Sequence, residues 1–247
     1  MTDPPVPGPR EFTTTHWSLV GAAQSDEASR ARSQKALEEL CQAYWYPLYA
    51  FVRNRGYSSF DAQDLTQSFL AQFIDRGGFA SADPGRGRFR TYLLGAMKHF
   101  LANEWHRAQT QKRGGKVTFL EWDALEPEAR YRLEPKQASD PDAGFDREWA
   151  LELTARAAEQ LRLESEAGGK GPVFMALKGS LTGAEPPRGE TAVQLGMTEG
   201  AVKVAVHRLR QRYRQLLRAE IGSTVNEPSE IDDEMRYLVA ALRRNSD

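Results

Sequence analysis

Between Lys203 and Arg218 lie six cations (Lys203, Arg208, Arg210, Arg212, Arg214, Arg218) and no acid, in a chain whose formal charge is only −1. Like charges one helical turn apart repel by a few tenths of a kcal/mol per pair, so a single-sign face calls for a counter-charge. Nucleic acid phosphate supplies one. The plainer account is a solvated face of an amphipathic helix, but solvated faces usually mix signs. The surrounding stretch, RGETAVQLGMTEGAVKVAVHRLRQRYRQLL, has a short helical segment, a turn at Leu195-Gly196-Met197 and a longer helical segment that Thr198 is placed to cap. Val202, Val206, Leu209, Tyr213 and Leu216 recur at helical spacing and form a core seam. Rotated by one residue run Lys203, His207, Arg210 and Arg214, with Arg208 and Arg212 on the other flank. This is the pattern of a helix-turn-helix, which lays its second helix in the major groove of duplex DNA.

A second basic island precedes it. Residues 86–116 hold eight Lys/Arg against one acid, Glu104, a net charge of +7. In GRFRTYLLGAMKHFLANEWHRAQTQKR the rings of Phe89, Tyr92, Phe100 and Trp105 alternate with Arg88, Arg90, Lys98 and Arg107. Cations that hold a backbone beside rings that stack on bases make a surface for single-stranded nucleic acid. Phe89, Leu93 and Phe100 are expected in the core, whereas Trp105 fits either role. Between the islands, residues 121–166 carry thirteen acids against six bases, net −7.

Other chemistry finds little support. His99 and His106 share a helix face without a third ligand, and His207 has no Cys or acid beside it for a metal. Asp61 and Asp64 open a helical segment, where they complement its dipole. A nuclease would need them to hold a metal, but further ligands, a Gly-rich phosphate loop and a nucleophile motif are missing. No catalytic site, cofactor or metal is expected. The single cysteine, Cys41, allows no internal disulfide.

The elements that must position these residues are helical throughout. The chain is 40% hydrophobic and 27% charged, ordinary for a globular protein. Apolar residues recur at three and four over 29–54, with a kink or break expected at Pro47. Further helices are expected at 60–75, 89–110, 145–166, 172–183, 189–195, 199–220 and 230–243. The tail helix would be capped at Ser229 and carry a stripe of Ile231, Met235, Leu238 and Leu242. The fold class is therefore all-α. Two helical domains are expected, at 29–113 and 170–222. An acidic linker with one helix, 114–169, joins them, between an N-terminal extension (1–28) and a C-terminal one (223–247). No apolar run suits a membrane span and MTDPPVPGPR does not read as a secretory signal, so the cytoplasm is the expected location.

Three blocks, in this order, resemble the bacterial RNA polymerase sigma factors of the extracytoplasmic-function type. DAQDLTQSFLAQF is similar to the family's D-A-x-D-L-x-Q-x-x-F-L, GRFRTYLLGAMKHFLANEWHR to its minus-ten helix, and GMTEGAVKVAVHRLRQRYRQLL to its G-x-S-x-G-T-V-K-S-R-x-x-R-A-R. The resemblance implies that Asp61, Asp64, Leu65, Gln67, Phe69 and Leu70 bind the clamp of the largest subunit of core RNA polymerase. It implies that Arg88, Arg90, Tyr92, Lys98, His99, Asn103, Trp105 and Arg107 melt and read the minus-ten element of promoter DNA. It gives Thr198, Glu199, Gly200, Lys203, Val204, His207, Arg208 and Arg210 to the minus-thirty-five duplex. An anti-sigma protein, a kinase and the chain's own extra segments are the open alternatives for control of its activity. The chain departs from the family at Val204-Ala205, where Ser-Arg is usual, and at His99 and Asn103, where Asn and Asp are usual. It also has a longer 114–169 interval and additional termini. A helix-turn-helix regulator acting without polymerase is the alternative; it accounts for 189–220 but not for the 60–110 block.

Overall fold

The computed structural model describes residues 27–78, 87–110, 127–133, 140–225 and 228–243. All regular structure among them is helical, and no strand is present. The N-terminal extension lies outside the described residues except for its last two positions.

The first helix, α1 (Glu27–Asn54), runs unbroken through Pro47, where a kink or break is expected. An internal proline costs a helix about 3 kcal/mol. Here residues 43–52 are all buried, and Tyr44, Leu48, Tyr49 and Phe51 are each at most 1% exposed. Burying each such side chain is worth roughly 1.5–3 kcal/mol, so packing outweighs the proline.

Ser58 starts α2 (Ser59–Asp75): its hydroxyl accepts the Asp61 N–H at 3.1 Å and donates to the Asp61 carboxylate at 2.7 Å. Helix α3 (Phe89–Thr110) lies on α2 through Phe100, whose ring centroid is 5.6 Å from that of Phe69. It meets α1 where Phe89 packs edge-on against Tyr44 at 5.4 Å.

The interval expected as a linker contributes two helices to the body of the molecule. The short α4 (Pro127–Leu133) is pinned to α1 by polar contacts. The Tyr49 hydroxyl donates to Glu128 at 2.7 Å, and Arg53 donates to both oxygens of that carboxylate at 3.1 Å. Helix α5 (Pro141–Ala167) carries Phe145, Trp149, Leu153, Ala157 and Leu161, all buried. A spacing of four drifts about 40° around a helix at each step, so the stripe winds across the surface of α5. Its start faces α1, where Phe145 meets Phe51 at 6.4 Å. Its later turns face α8 (Glu199–Gly222): the Tyr213 hydroxyl donates to the Thr154 carbonyl at 3.2 Å, and Arg156 pairs with Glu220 at 3.0 Å.

Between α5 and α8 come α6 (Gly171–Leu177), a 3-10 turn (Lys178–Thr182) in place of the rest of the expected 172–183 helix, and α7 (Arg188–Leu195). Leu177, Ala192, Val202 and Val206 form a small separate core here. The far end of α8, through Leu216, Leu217 and Ile221, belongs instead to the large core shared with α1, α2, α3 and α5. A 3-10 turn (Pro228–Glu230) leads into α9 (Ile231–Arg243), which buries Ile231, Leu238 and Ala241 in that same core. Among the described residues no helix is long and apolar enough to cross a membrane.

Candidate nucleic-acid interface

The helix-turn-helix is closed by Gly196, whose φ of +62° suits glycine. The Gly196 N–H donates to Val193 and the Met197 N–H donates to Ala192 at 2.9 Å, a pairing that ends α7 and turns the chain. Thr198 then caps α8, its hydroxyl accepting the Ala201 N–H at 3.2 Å. Thr198, Glu199, Gly200, Lys203, Val204, His207 and Arg208 are all exposed around the first turns of α8. Lys203, His207 and Arg210 border a 190 Å³ hollow whose other wall is Glu185, Pro186 and Arg188.

The single-sign face of α8 is partly an effect of counting along one helix. Arg212 donates to both oxygens of Glu164 on α5, at 2.7 and 2.6 Å, and holds that carboxyl below the usual carboxylate range. Arg210 donates to the Ser180 carbonyl at 2.9 Å and to Glu185 at 3.0 Å. Arg218 pairs with Asp232 of α9. Lys203, Arg208 and Arg214 are exposed and have no ion-pair partner among the described residues. The open surplus on α8 is three cations, not six.

The start of α3 is arranged differently from expectation. Arg90 is 6% exposed and faces inward. Its guanidinium lies between the rings of Trp149 and Tyr237, 4.8 and 3.9 Å from their centroids. It donates to both oxygens of Glu234 on α9 and lies 3.4 Å from Asp146 on α5. Burial opposes its charge, but the bonds and charges of Glu234 and Asp146 outweigh that and hold its pKa above the ordinary value. Arg88 shares Glu234 at 2.9 Å, and Lys98 pairs with Asp142. With α9 docked Arg90 therefore meets no outside ligand, and Arg88 and Lys98 are already engaged.

What α3 does present is a run of polar and aromatic side chains farther along. Tyr92, His99, Asn103, Trp105 and Arg107 are exposed, Trp105 by 54%. Phe89 and Leu93 are buried and Phe100 half-buried, as expected. A half-open groove of 310 Å³ runs between α2 and α3, lined by Phe69, Phe73, Tyr92, His99, Phe100 and Asn103, with Arg76 and Arg107 on its wall. The Tyr92 hydroxyl donates to the Gly78 carbonyl at 3.1 Å and so holds that ring at the groove. Among the described residues no three His, Cys, Asp or Glu side chains are grouped as a metal ion needs.

On α2, Asp61 is exposed and Asp64, Leu65 and Gln67 are half-buried, so these four can meet a partner. Phe69 and Leu70 are buried at 3% and 4% and serve the core, which corrects their placement on a docking surface. Phe60, 70% exposed beside Asp61, escaped the sequence reasoning. Glu234, Asp146 and Tyr237 escaped it too. Glu234 had a legible signal: with Ile231, Leu238 and Ala241 it falls at i, i+3, i+7 and i+10, on the apolar stripe of α9. A carboxylate on such a stripe needs a buried partner.

No known protein family matches this chain, and no characterised protein or solved structure is significantly similar to it.

Proposed function

We propose that the chain is a promoter-specificity factor, a sigma factor of the extracytoplasmic-function type, which binds core RNA polymerase and directs it to promoter DNA. Two chemically different surfaces on one chain carry the proposal. The α2–α3 groove, with Tyr92 and Phe100 near His99, Asn103 and Arg107, suits unstacked bases of a single strand, and Trp105 is a further exposed ring on α3. The α7–α8 helix-turn-helix, with Lys203, His207 and Arg208 exposed at its leading end, suits duplex DNA. A factor that opens a promoter needs both. The polymerase contact falls to the polar side of α2 at Asp61, Asp64 and Gln67, with the exposed Phe60 as an apolar neighbour.

Run-off transcription with core polymerase on a panel of promoters tests the proposal. Specific transcripts that depend on this chain are expected, together with co-elution that weakens when Asp64 and Gln67 are both replaced by Ala. A chain that binds duplex DNA but neither co-elutes with polymerase nor supports transcription is a helix-turn-helix regulator instead.

A further inference from the structure

Helix α9 ends its docking on the two arginines that open α3. Glu234, 2% exposed, accepts from Arg90 and Arg88, while Tyr237, one turn later, covers Arg90 and donates to Asp146. The cluster is electrically balanced: two guanidiniums face two carboxylates. A carboxylate and a phosphate make the same demand on a guanidinium, a pair of acceptor oxygens in one plane. Glu234 thus fills the place a nucleic acid phosphate would take on Arg88 and Arg90. Besides Glu234, α9 buries Ile231, Leu238 and Ala241, with Met235, Tyr237 and Leu242 half-buried against the same core. Thirteen residues of isolated helix have little stability in water.

We propose that α9 is an intramolecular competitor of single-stranded nucleic acid: Glu234 and phosphate occupy Arg88 and Arg90 in turn, and α9 must lift from α3 for those two cations to join the interface. This rests on nucleic-acid binding by α3. The apparent affinity is then lowered by the fraction of molecules in which α9 is docked.

The test uses the full-length chain, the full-length Glu234→Gln variant and a chain ended after Val225. The probe is a short fluorescein-labelled single-stranded oligodeoxynucleotide of mixed sequence, read by anisotropy across a salt series. Glu234→Gln keeps the shape of the side chain and removes its charge. Asp233→Asn, which makes the same net-charge change on the outer face of α9, is the control. If the docked tail outweighs the free tail about ten to one, the Glu234→Gln and shortened chains bind about tenfold more tightly. Asp233→Asn leaves the affinity unchanged. In the unaltered chain the oligonucleotide speeds hydrogen exchange of the α9 amides. Circular dichroism melting shows which variants are folded, and Glu234→Gln carries the comparison if the shortened chain is not. Equal affinity in the unaltered and Glu234→Gln chains, with α9 still protected in the complex, overturns the competition and leaves nucleic-acid binding standing. Absence of binding by every folded form overturns binding by α3, and the competition with it.

Discussion

The salt dependence of duplex binding by α8 separates what its sequence offers from what its fold leaves open. Taken along the helix, six cations at about −0.9 each give a slope of log affinity against log salt of roughly −5. In the folded chain Arg210, Arg212 and Arg218 already face Glu185, Glu164 and Asp232. A phosphate that takes one of these arginines leaves a carboxylate nearby, so the net charge gained is close to zero. Lys203, Arg208 and Arg214 remain, and three cations give roughly −2.7. The decisive comparison is between variants of the whole chain, titrated against a labelled duplex of mixed sequence. Arg208→Gln should flatten the slope by about 0.9, and Arg212→Gln should leave it unchanged. The second change should instead lower stability by about 0.2–1 kcal/mol, the usual worth of an exposed pair, seen in urea denaturation. If Arg212→Gln flattens the slope as much as Arg208→Gln does, the Arg212–Glu164 fork opens on binding and the count from the folded chain is wrong.

Three further outcomes are expected. Arg90→Met takes the shared cation from Glu234 and Asp146, leaving Arg88 on Glu234 and the Tyr237 hydroxyl on Asp146, and should cost about 1.5–3 kcal/mol in urea denaturation; adding Glu234→Leu should recover part of that loss, because an apolar pair replaces a half-broken ionic one. Trp105→Ala should weaken binding of the single-stranded oligonucleotide by about 1–3 kcal/mol, the worth of one stacked base, with no change in melting, since the ring is largely exposed. Burial opposes the charge of Glu128, but hydrogen bonds from Tyr49, Arg53 and Arg132 outweigh it and hold its carboxyl below the usual range. A lowered folded pKa means the unfolded chain binds the proton more tightly, so this stabilisation is complete above the ordinary carboxylate value of about 4.3 and is lost as pH falls through the folded value. Melting temperature should therefore drop on acidification below about pH 5, and Glu128→Gln should show a smaller drop.

Helix positions were legible because local signals fix them. Ser58 and Thr198 cap their helices, and Gly196 closes α7, each through atoms within five residues. What was not legible depends on distant partners. Arg212 meets Glu164 across 48 residues and Arg90 meets Glu234 across 144. No local pattern announces such pairs, so α8 read as bare charge and Arg90 as a surface contact. The interval around α5 read as a linker because thirteen acids dominate its composition. Its apolar residues recur every four, a pattern diluted by the charges between them, and only the packing against α1 and α8 reveals that the stripe is a core. On α3 the burial of Phe89 and Leu93 was expected from the sequence, whereas Trp105 was open to either role and the groove beside them needs α2 in place.

Helix α5 meets α1 with its first turns and α8 with its later ones, so it works as an axle between the two halves of the chain. One residue inserted between Phe145 and Leu161 would turn one end relative to the other by about 100° and lengthen the shaft by about 1.5 Å. Either the Phe145 side or the Leu161 side would then face water. Substitutions along α5 can be absorbed one contact at a time, but a change in its length cannot. Among natural variants of this chain, insertions and deletions should therefore stop at the ends of α5 even where its individual residues differ freely.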